Sequence, residues 1–324
     1  MIDSFGRNID YVRISVTDKC NLRCKYCMPE EGVPALAHNE VLGFEEIARI
    51  VKVLASLGIK KVRFTGGEPL VRKDFVKLVD MVHRTDGIEK ISVTTNGVLL
   101  PSMAQKLKNV GVDSVNISLD TLKRDVFENI TRRDEFDRVI EGLEKSLAVG
   151  LKVKINCVPS REFNASELAC MAGLAKKYPV DVRFIELMPI GCGRDYTGLD
   201  SEEILSVLIN EYGSYKTSDT IHGNGPARYV DFEGFMGSIG FISPISHKFC
   251  SECNRIRITA DGKLKLCLHY KDGISLKELI RSGISDEELL EAIKNAVYHK
   301  PAAHAFEKTT ERNTETDKMV QIGG

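Results

Sequence analysis

Residues 11–28 read Tyr11-Val12-Arg13-Ile14-Ser15-Val16-Thr17-Asp18-Lys19-Cys20-Asn21-Leu22-Arg23-Cys24-Lys25-Tyr26-Cys27-Met28, and the first six of them decide the fold. Val12, Ile14 and Val16 alternate with Tyr11, Arg13 and Ser15, the period of two that marks a strand with one apolar and one polar face. The alternation returns where Val153 and Ile155 are set against Lys154 and Asn156. Further β-rich runs span Lys61 to Thr65, Lys90 to Thr94, Ser114 to Ser118, Lys152 to Val158 and Asp181 to Leu187. Between them lie stretches with apolar residues three and four apart: Phe44 to Leu57, Asp74 to His83, Pro101 to Asn109, Arg138 to Val149 and Ser166 to Tyr178. Such alternation predicts an α/β fold with a parallel sheet, and six strand–helix units fit an incomplete (β/α)6 TIM-like barrel. Helices cover the apolar face of such a sheet, so the polar face must line an interior cavity, where charged residues imply a ligand.

Directly after the first strand, where a βα loop of a barrel holds catalytic groups, stands the C-x3-C-x2-C triad Cys20, Cys24 and Cys27. Structural zinc and electron-transfer four-iron clusters take four protein ligands, so three thiolates leave one iron open for a small molecule. On spacing alone a zinc knuckle or incidental thiols remain alternatives. A second triad, C-x2-C-x13-C, is formed by Cys250, Cys253 and Cys267. It suits a second four-iron cluster with an open iron for substrate, or a zinc ribbon completed by His247 or His269. Arg255 and Arg257, beside it, share one face of a strand. Cys157, Cys170 and Cys192 read as ordinary buried or loop thiols.

The 324 residues carry 45 Lys and Arg against 46 Asp and Glu, a net charge of −1. That balance argues against wholesale binding of nucleic acid or acidic membrane, so any anion site is local. No apolar run approaches the roughly 18 residues of a membrane span, and Met1 to Arg7 does not resemble a secretory leader, which makes the cytoplasm the expected compartment. Past about residue 212 the pattern changes to short strands with Gly and Pro, from Ser214 to Ile258, and then to helical candidates Leu276 to Arg281 and Asp286 to His299. The turn-rich His222-Gly223-Asn224-Gly225-Pro226 suggests a barrel over residues 1–220 and a smaller α+β region over 221–324, although an insertion in the barrel would look similar.

The first triad together with Thr65-Gly66-Gly67-Glu68-Pro69-Leu70 resembles the radical S-adenosylmethionine superfamily. That resemblance implies a [4Fe-4S] cluster whose open iron binds the amino and carboxylate groups of S-adenosylmethionine, and a 5′-deoxyadenosyl radical that abstracts hydrogen from substrate. Two glycines would let backbone carbonyls approach the cofactor's ammonium, with Pro69 fixing the turn.

Three stretches narrow the resemblance to the GTP 3′,8-cyclase family of molybdenum cofactor biosynthesis. They are Phe249 to Lys263 running on to Cys267, the opening Asp10 to Cys20, and Cys27-Met28-Pro29-Glu30-Glu31-Gly32. The resemblance implies two [4Fe-4S] clusters, one at each end of the cavity, held by Cys20, Cys24 and Cys27 and by Cys250, Cys253 and Cys267. It implies S-adenosylmethionine at Tyr26, Gly66, Gly67, Glu68, Ser118 and Met188. GTP would lie at Arg13, Arg63, Thr94, Lys154, Arg183, Arg255, Ile256 and Arg257, with Arg13 and Lys154 also in the catalytic set beside the first three cysteines. The terminal Gly323 and Gly324, otherwise a frayed tail, would reach into the cavity.

Implied partners are a reduced electron donor, the downstream cyclic pyranopterin monophosphate synthase and a second copy in a homodimer. A radical peptide-maturing enzyme would be expected to carry more cysteines in a longer C-terminal region. A non-catalytic two-cluster electron carrier would want four ligands per site and has no use for Gly66-Gly67-Glu68-Pro69.

Overall fold

The computed structural model describes residues 1–220, 222–223, 225–306 and 313–323. Among them, six parallel strands form the centre of the sheet: β1 (Tyr11–Ser15), β2 (Lys61–Thr65), β3 (Lys90–Thr95), β4 (Ser114–Ser118), β5 (Lys152–Cys157) and β6 (Asp181–Ile185). Helices α1 (Phe44–Ser56), α2 (Phe75–His83), α3 (Leu100–Asn109), α4 (Arg124–Thr131), α5 (Phe136–Ala148) and α6 (Leu168–Lys177) follow them in turn, with both α4 and α5 lying between β4 and β5. This is the expected order of a partial TIM-like barrel. Helix α7 (Ser201–Tyr212) was not anticipated from the sequence, although Asp200 caps it through the amides of Glu202 and Glu203 at 2.9 Å each, a start signal legible in Asp200-Ser201-Glu202-Glu203.

The later strands are not a separate sheet. β7 (Tyr215–Thr217), β8 (Arg228–Phe232) and β9 (Ile239–Ile242) extend one edge, β9 running parallel to β6. β10 (Arg255–Ile258) runs parallel to β1 at the other edge and is followed by β11 (Lys263–Lys265) and β12 (Gly273–Ser275) in antiparallel pairing. The sheet order is β12-β11-β10-β1-β2-β3-β4-β5-β6-β9-β8-β7, and the sheet stays open. Strands from both sides of residue 220 therefore wall one interior. Helices α8 (Leu276–Arg281) and α9 (Asp286–Tyr298) pack near α1, and a last turn, α10 (Met319–Ile322), precedes Gly323.

Alternation is what sets the layers. Val12, Ile14, Val62, Phe64, Val93, Val115, Ile117 and Ile155 are all buried against the helices in one core, each contributing roughly 1.5–3 kcal/mol by leaving water. Phe64 meets Phe75 edge to face at 5.4 Å, joining β2 to α2. The intervening polar residues are thereby turned inward.

Candidate active site

Parallel register brings like charges side by side. Arg13 on β1 is the Cα partner of Arg63 on β2 and of Arg257 on β10, and Tyr11 is that of Arg255. Neighbouring strands lie about 4.8 Å apart, so three guanidinium stems stand in one row on the cavity side. Among the described residues none of Arg13, Arg63, Arg255 and Arg257 has a carboxylate partner. Burial pushes Arg63 and Arg257 down to about 9, with nearby arginines adding to the effect. Tyr11 is pulled down to about 8, because Arg13, Arg63 and Arg255 together outweigh its burial. Adjacent like charges destabilise a sheet unless something of opposite sign joins them.

The row faces a cavity of about 340 Å³, which both cysteine triads also line. The first triad is fixed from behind by α4. Arg23 and Lys25 donate their amides to Thr131 and Ile130 at 2.9 and 3.0 Å, and Arg132 donates to the carbonyls of Arg23 and Met28. The amide of Leu22 and the side-chain amide of Asn96 point at Cys20 Sγ, at 3.4 and 3.8 Å. Burial pushes the Cys27 thiol up to about 12, with Cys20 and Cys192 adding repulsion, and raises Cys24 well above the usual range with help from Cys27 and Cys20. Three mutually repelling thiols with N–H donors aimed at one of them fit a cationic iron cluster, which stabilises thiolate. Among the described residues no three His, Cys, Asp or Glu converge tightly enough for a single metal ion.

Gly66 and Gly67 are required by a contact within the chain itself. The amides of Gly67 and Glu68 donate to Thr17 and Lys19 carbonyls at 2.7 and 2.8 Å, and a Cβ on Gly67 would lie 2.2 Å from Lys19 O. The glycines thus let the second βα loop press against the loop that carries Cys20. Glu68 is buried, and its carboxylate accepts from Leu70 N, Thr95 Oγ1 and Asn96 N at 3.0, 2.8 and 2.7 Å. It thereby orients Asn96 toward Cys20. Burial raises Glu68 to about 7.

Tyr26, Gly66, Gly67, Glu68, Ser118 and Met188 all line the cavity. Tyr26 donates to Asp120 Oδ2 at 2.6 Å, while Asp120 Oδ1 accepts from Val158 N at 2.8 Å. Arg13, Arg63, Thr94, Arg183, Arg255 and Arg257 line it as well, Arg183 being held by Asn156 and Asn116. Two expected residues do not. The Lys154 ammonium is paired with Asp181 at 2.8 Å and donates to Tyr229 OH at 3.2 Å and to His222 O. Its side chain therefore turns toward β6 and β8. The Ile256 side chain belongs to the apolar core, because alternation puts it on the face opposite Arg255 and Arg257; only its backbone is left for the cavity.

Gly323 is not among the lining residues either, although the tail that leads to it is. Met319 and Val320 line the cavity, and Gly323 O accepts from Arg257 Nη1 at 3.0 Å. Gly323 has φ +76, and a Cβ there would meet Ser15 Cβ at 2.9 Å, so only glycine suits the position. Gly324 lies outside the described residues.

Cys250, Cys253 and Cys267 line the same cavity. Burial raises the Cys253 thiol, but Lys300, Arg255 and Arg7 outweigh it and leave it lowered. Neither His247 nor His269 lines the cavity; His269 is buried edge-on between Tyr270 and Phe306, each ring at 4.6 Å. Asn156 lines the cavity as its place on the polar strand face led one to expect, whereas Asn96 and Asp120, each just past the C-terminal end of a strand where barrel sites are built, were not anticipated from the sequence. Arg7 was missed too.

Comparison with known proteins places this arrangement. Residues 14–174 match the Radical SAM superfamily model and residues 180–306 the Molybdenum Cofactor Synthesis C model. The chain is 49% identical over 324 residues, all of both chains, to GTP 3′,8-cyclase of Clostridium perfringens (strain SM101 / Type A). It is 47% identical over 328 residues, again all of both chains, to GTP 3′,8-cyclase of Desulforamulus reducens. Among solved structures, Streptococcus suis SuiB bound to S-adenosylmethionine superposes with a TM-score of 0.64 at 15% identity, covering 97% of this chain and 78% of that one, a likeness of fold alone. Identity of this extent over the whole length, on a partial barrel with an open cysteine triad at its mouth, means that the chain belongs to the GTP 3′,8-cyclase family of the radical S-adenosylmethionine superfamily.

Proposed function

We propose that this chain converts GTP to (8S)-3′,8-cyclo-7,8-dihydroguanosine 5′-triphosphate, the first step of molybdenum cofactor biosynthesis, between two four-iron clusters. The observation that carries the reading is the row Arg257, Arg13 and Arg63, in register, at least half-buried and without carboxylate partners among the described residues, on the cavity that both triads line. A triphosphate supplies the charge this row lacks, and guanidinium groups grip phosphate oxygens with defined geometry. When bound at Cys20, Cys24 and Cys27, a cluster with S-adenosylmethionine supplies one electron and a carbon radical that removes the ribose 3′ hydrogen.

Tyr26, Gly66, Gly67, Ser118 and Met188 would hold S-adenosylmethionine, with Glu68 orienting the adjoining loop. Cys250, Cys253 and Cys267 would hold the second cluster, which would supply an open iron for the substrate. The Gly323–Gly324 tail would enter beside Arg257. Lys154 joins the substrate set if triphosphate draws it from Asp181, a trade between two anions. Enclosure by the walls confines a reactive radical to its intended hydrogen.

A reduced electron donor, hand-over to cyclic pyranopterin monophosphate synthase, a cytoplasmic setting and a homodimer complete the reading. Among the described residues no helix is long and apolar enough to cross a membrane. The test is anaerobic incubation of iron-loaded protein with S-adenosylmethionine, reductant and GTP. GTP-dependent 5′-deoxyadenosine, a cyclised nucleotide and iron matching two four-iron clusters are expected. Zinc in place of iron, or no 5′-deoxyadenosine, would overturn the reading.

A further inference from the structure

We propose that Arg7 is the positioning residue of the second triad, its one guanidinium holding the Cys250 turn and the Lys300–Ala302 segment in fixed relation so that Cys250, Cys253 and Cys267 face the cavity together. This rests on the reading of those three cysteines as ligands of one cluster.

A guanidinium has five N–H donors, and in Arg7 each meets an acceptor. Nε donates to Asp3 Oδ2 at 2.6 Å, Nη1 to the carbonyls of Cys250 and Ala302 at 2.8 Å each, and Nη2 to those of Pro301 and Lys300 at 2.7 and 3.3 Å. The side chains of Arg7 and Asp3 are 5% and 0% exposed. Asp3 is itself locked in place, because Oδ1 accepts the amides of Phe5 and Arg7 at 3.0 Å. Burial would raise this carboxyl, but the hydrogen bonds from Arg7 and Phe5 outweigh it and hold it low. The pair is a preformed fork aimed at four carbonyls.

Those carbonyls are the ones that matter to the triad. Cys250 O also accepts the amide of Cys253 at 3.2 Å, so Arg7 fixes the turn that spaces the first two thiols. Lys300, only 2% exposed, donates its ammonium to Leu266 O, next to Cys267. By gripping residues 300 to 302, Arg7 sets where that ammonium stands, and through it the third thiol. Two pieces of chain 243 to 295 residues from Arg7 are tied by one side chain. Lysine, with three donors, would leave at least two of the five contacts unmade.

The test uses metal-free, reduced, full-length protein. Alkylation of each cysteine by iodoacetamide is followed by peptide mass spectrometry in wild type, Arg7→Lys and Arg7→Gln. Local opening of the turn should speed Cys250, Cys253 and Cys267 by about tenfold or more while Cys20, Cys24 and Cys27 stay within about twofold. In iron-loaded Arg7→Lys, the low-temperature electron paramagnetic resonance of the second cluster should change and that of the first should not. Equal acceleration at all six thiols would make Arg7 a general staple and overturn the proposal, as would no acceleration at all. Asp3→Asn, which loosens only the anchor, carries the same arms if the Arg7 variants do not fold. Wild-type protein that loads iron for only one cluster, with alkylation still selective at the second triad, sinks the cluster reading but leaves the positioning role standing.

Discussion

Gly67→Ala is the substitution whose effect the structure sizes most directly. An added Cβ would stand 2.2 Å from Lys19 O, 2.6 Å from Lys19 C and 2.8 Å from Asp18 O. All three are backbone atoms, so no rotamer relieves the clash, and one of the two loops must move by about 1 Å. Overpacking of this kind costs roughly 1–3 kcal/mol. The movement also breaks the bonds from Gly67 N to Thr17 O and from Glu68 N to Lys19 O, each worth roughly 1 kcal/mol. Together they reach about 3–5 kcal/mol, a large share of a domain stability of roughly 5–15 kcal/mol.

The expected fall in the thermal midpoint of the metal-free protein is roughly 4–8 °C, by the entropy scaling for a chain of this size. Because Lys19 leads into Cys20, the same movement displaces the first thiol, and a misplacement of about 1 Å can lower cofactor cleavage about a hundredfold. Gly225→Ala is the control: Gly225 lines the cavity, yet a Cβ there meets nothing within 4 Å. A Gly67→Ala protein with an unshifted midpoint and S-adenosylmethionine cleavage within about twofold of wild type would refute the close-packing argument.

Glu68 is raised from 4.5 to about 7 by burial, so between those values the folded chain binds more protons than the unfolded one. Its contribution to stability should therefore fall by about 3 kcal/mol as pH rises from about 4.5 to about 7 and level off above; urea midpoints at pH 5 and 7.5 should differ by more in wild type than in Glu68→Gln, where buried Asp120, raised to about 6, still titrates. Arg257→Ala, losing a buried cation that also grips Gly323, should raise the KM for GTP by roughly 10- to 100-fold, while cofactor cleavage without substrate stays unchanged. Cys20→Ala should abolish both 5′-deoxyadenosine and cyclised nucleotide, and Cys253→Ala should retain uncoupled cofactor cleavage; full GTP turnover in either refutes the assigned role.

The strands were legible because alternation and burial are local: β1 to β6 fall within one or two residues of the runs read from Tyr11 to Leu187. The inward face followed from the same pattern, which is why Arg13, Arg63, Arg183, Arg255 and Arg257 line one cavity. Lys154 obeys the alternation yet does not line the cavity, because Asp181, one strand over and in register with it, competes for its ammonium. Pairing across strands is not written in either strand alone. Helix α4 was overlooked as too short to show a period, yet its last carbonyls hold the loop of the first triad. Arg7 illustrates the limit most sharply. A single Arg after a turn carries no signal, and its meaning comes from acceptors 243 residues and more away.

The cavity's cations run against what stability alone would choose. Burying Arg63 and Arg257 without carboxylate partners among the described residues lowers both to about 9, which leaves them charged at neutral pH and repelling Arg13 and Arg255. Elsewhere the chain handles buried cations differently: Lys265 has Glu315, Arg7 has Asp3, and Lys154 has Asp181. The difference lies in position. Paired cations stand where chain meets chain, whereas the row, without a carboxylate partner among the described residues, lines the cavity that the two triads and the tail also line. A buried charge without a partner is destabilising unless a ligand completes it, and a ligand that binds only the folded state returns that stability in proportion to its concentration over Kd. The row therefore selects for a polyanion by its own incompleteness, and the apolar packing of eight parallel strands and their helices holds the arginines together until one arrives.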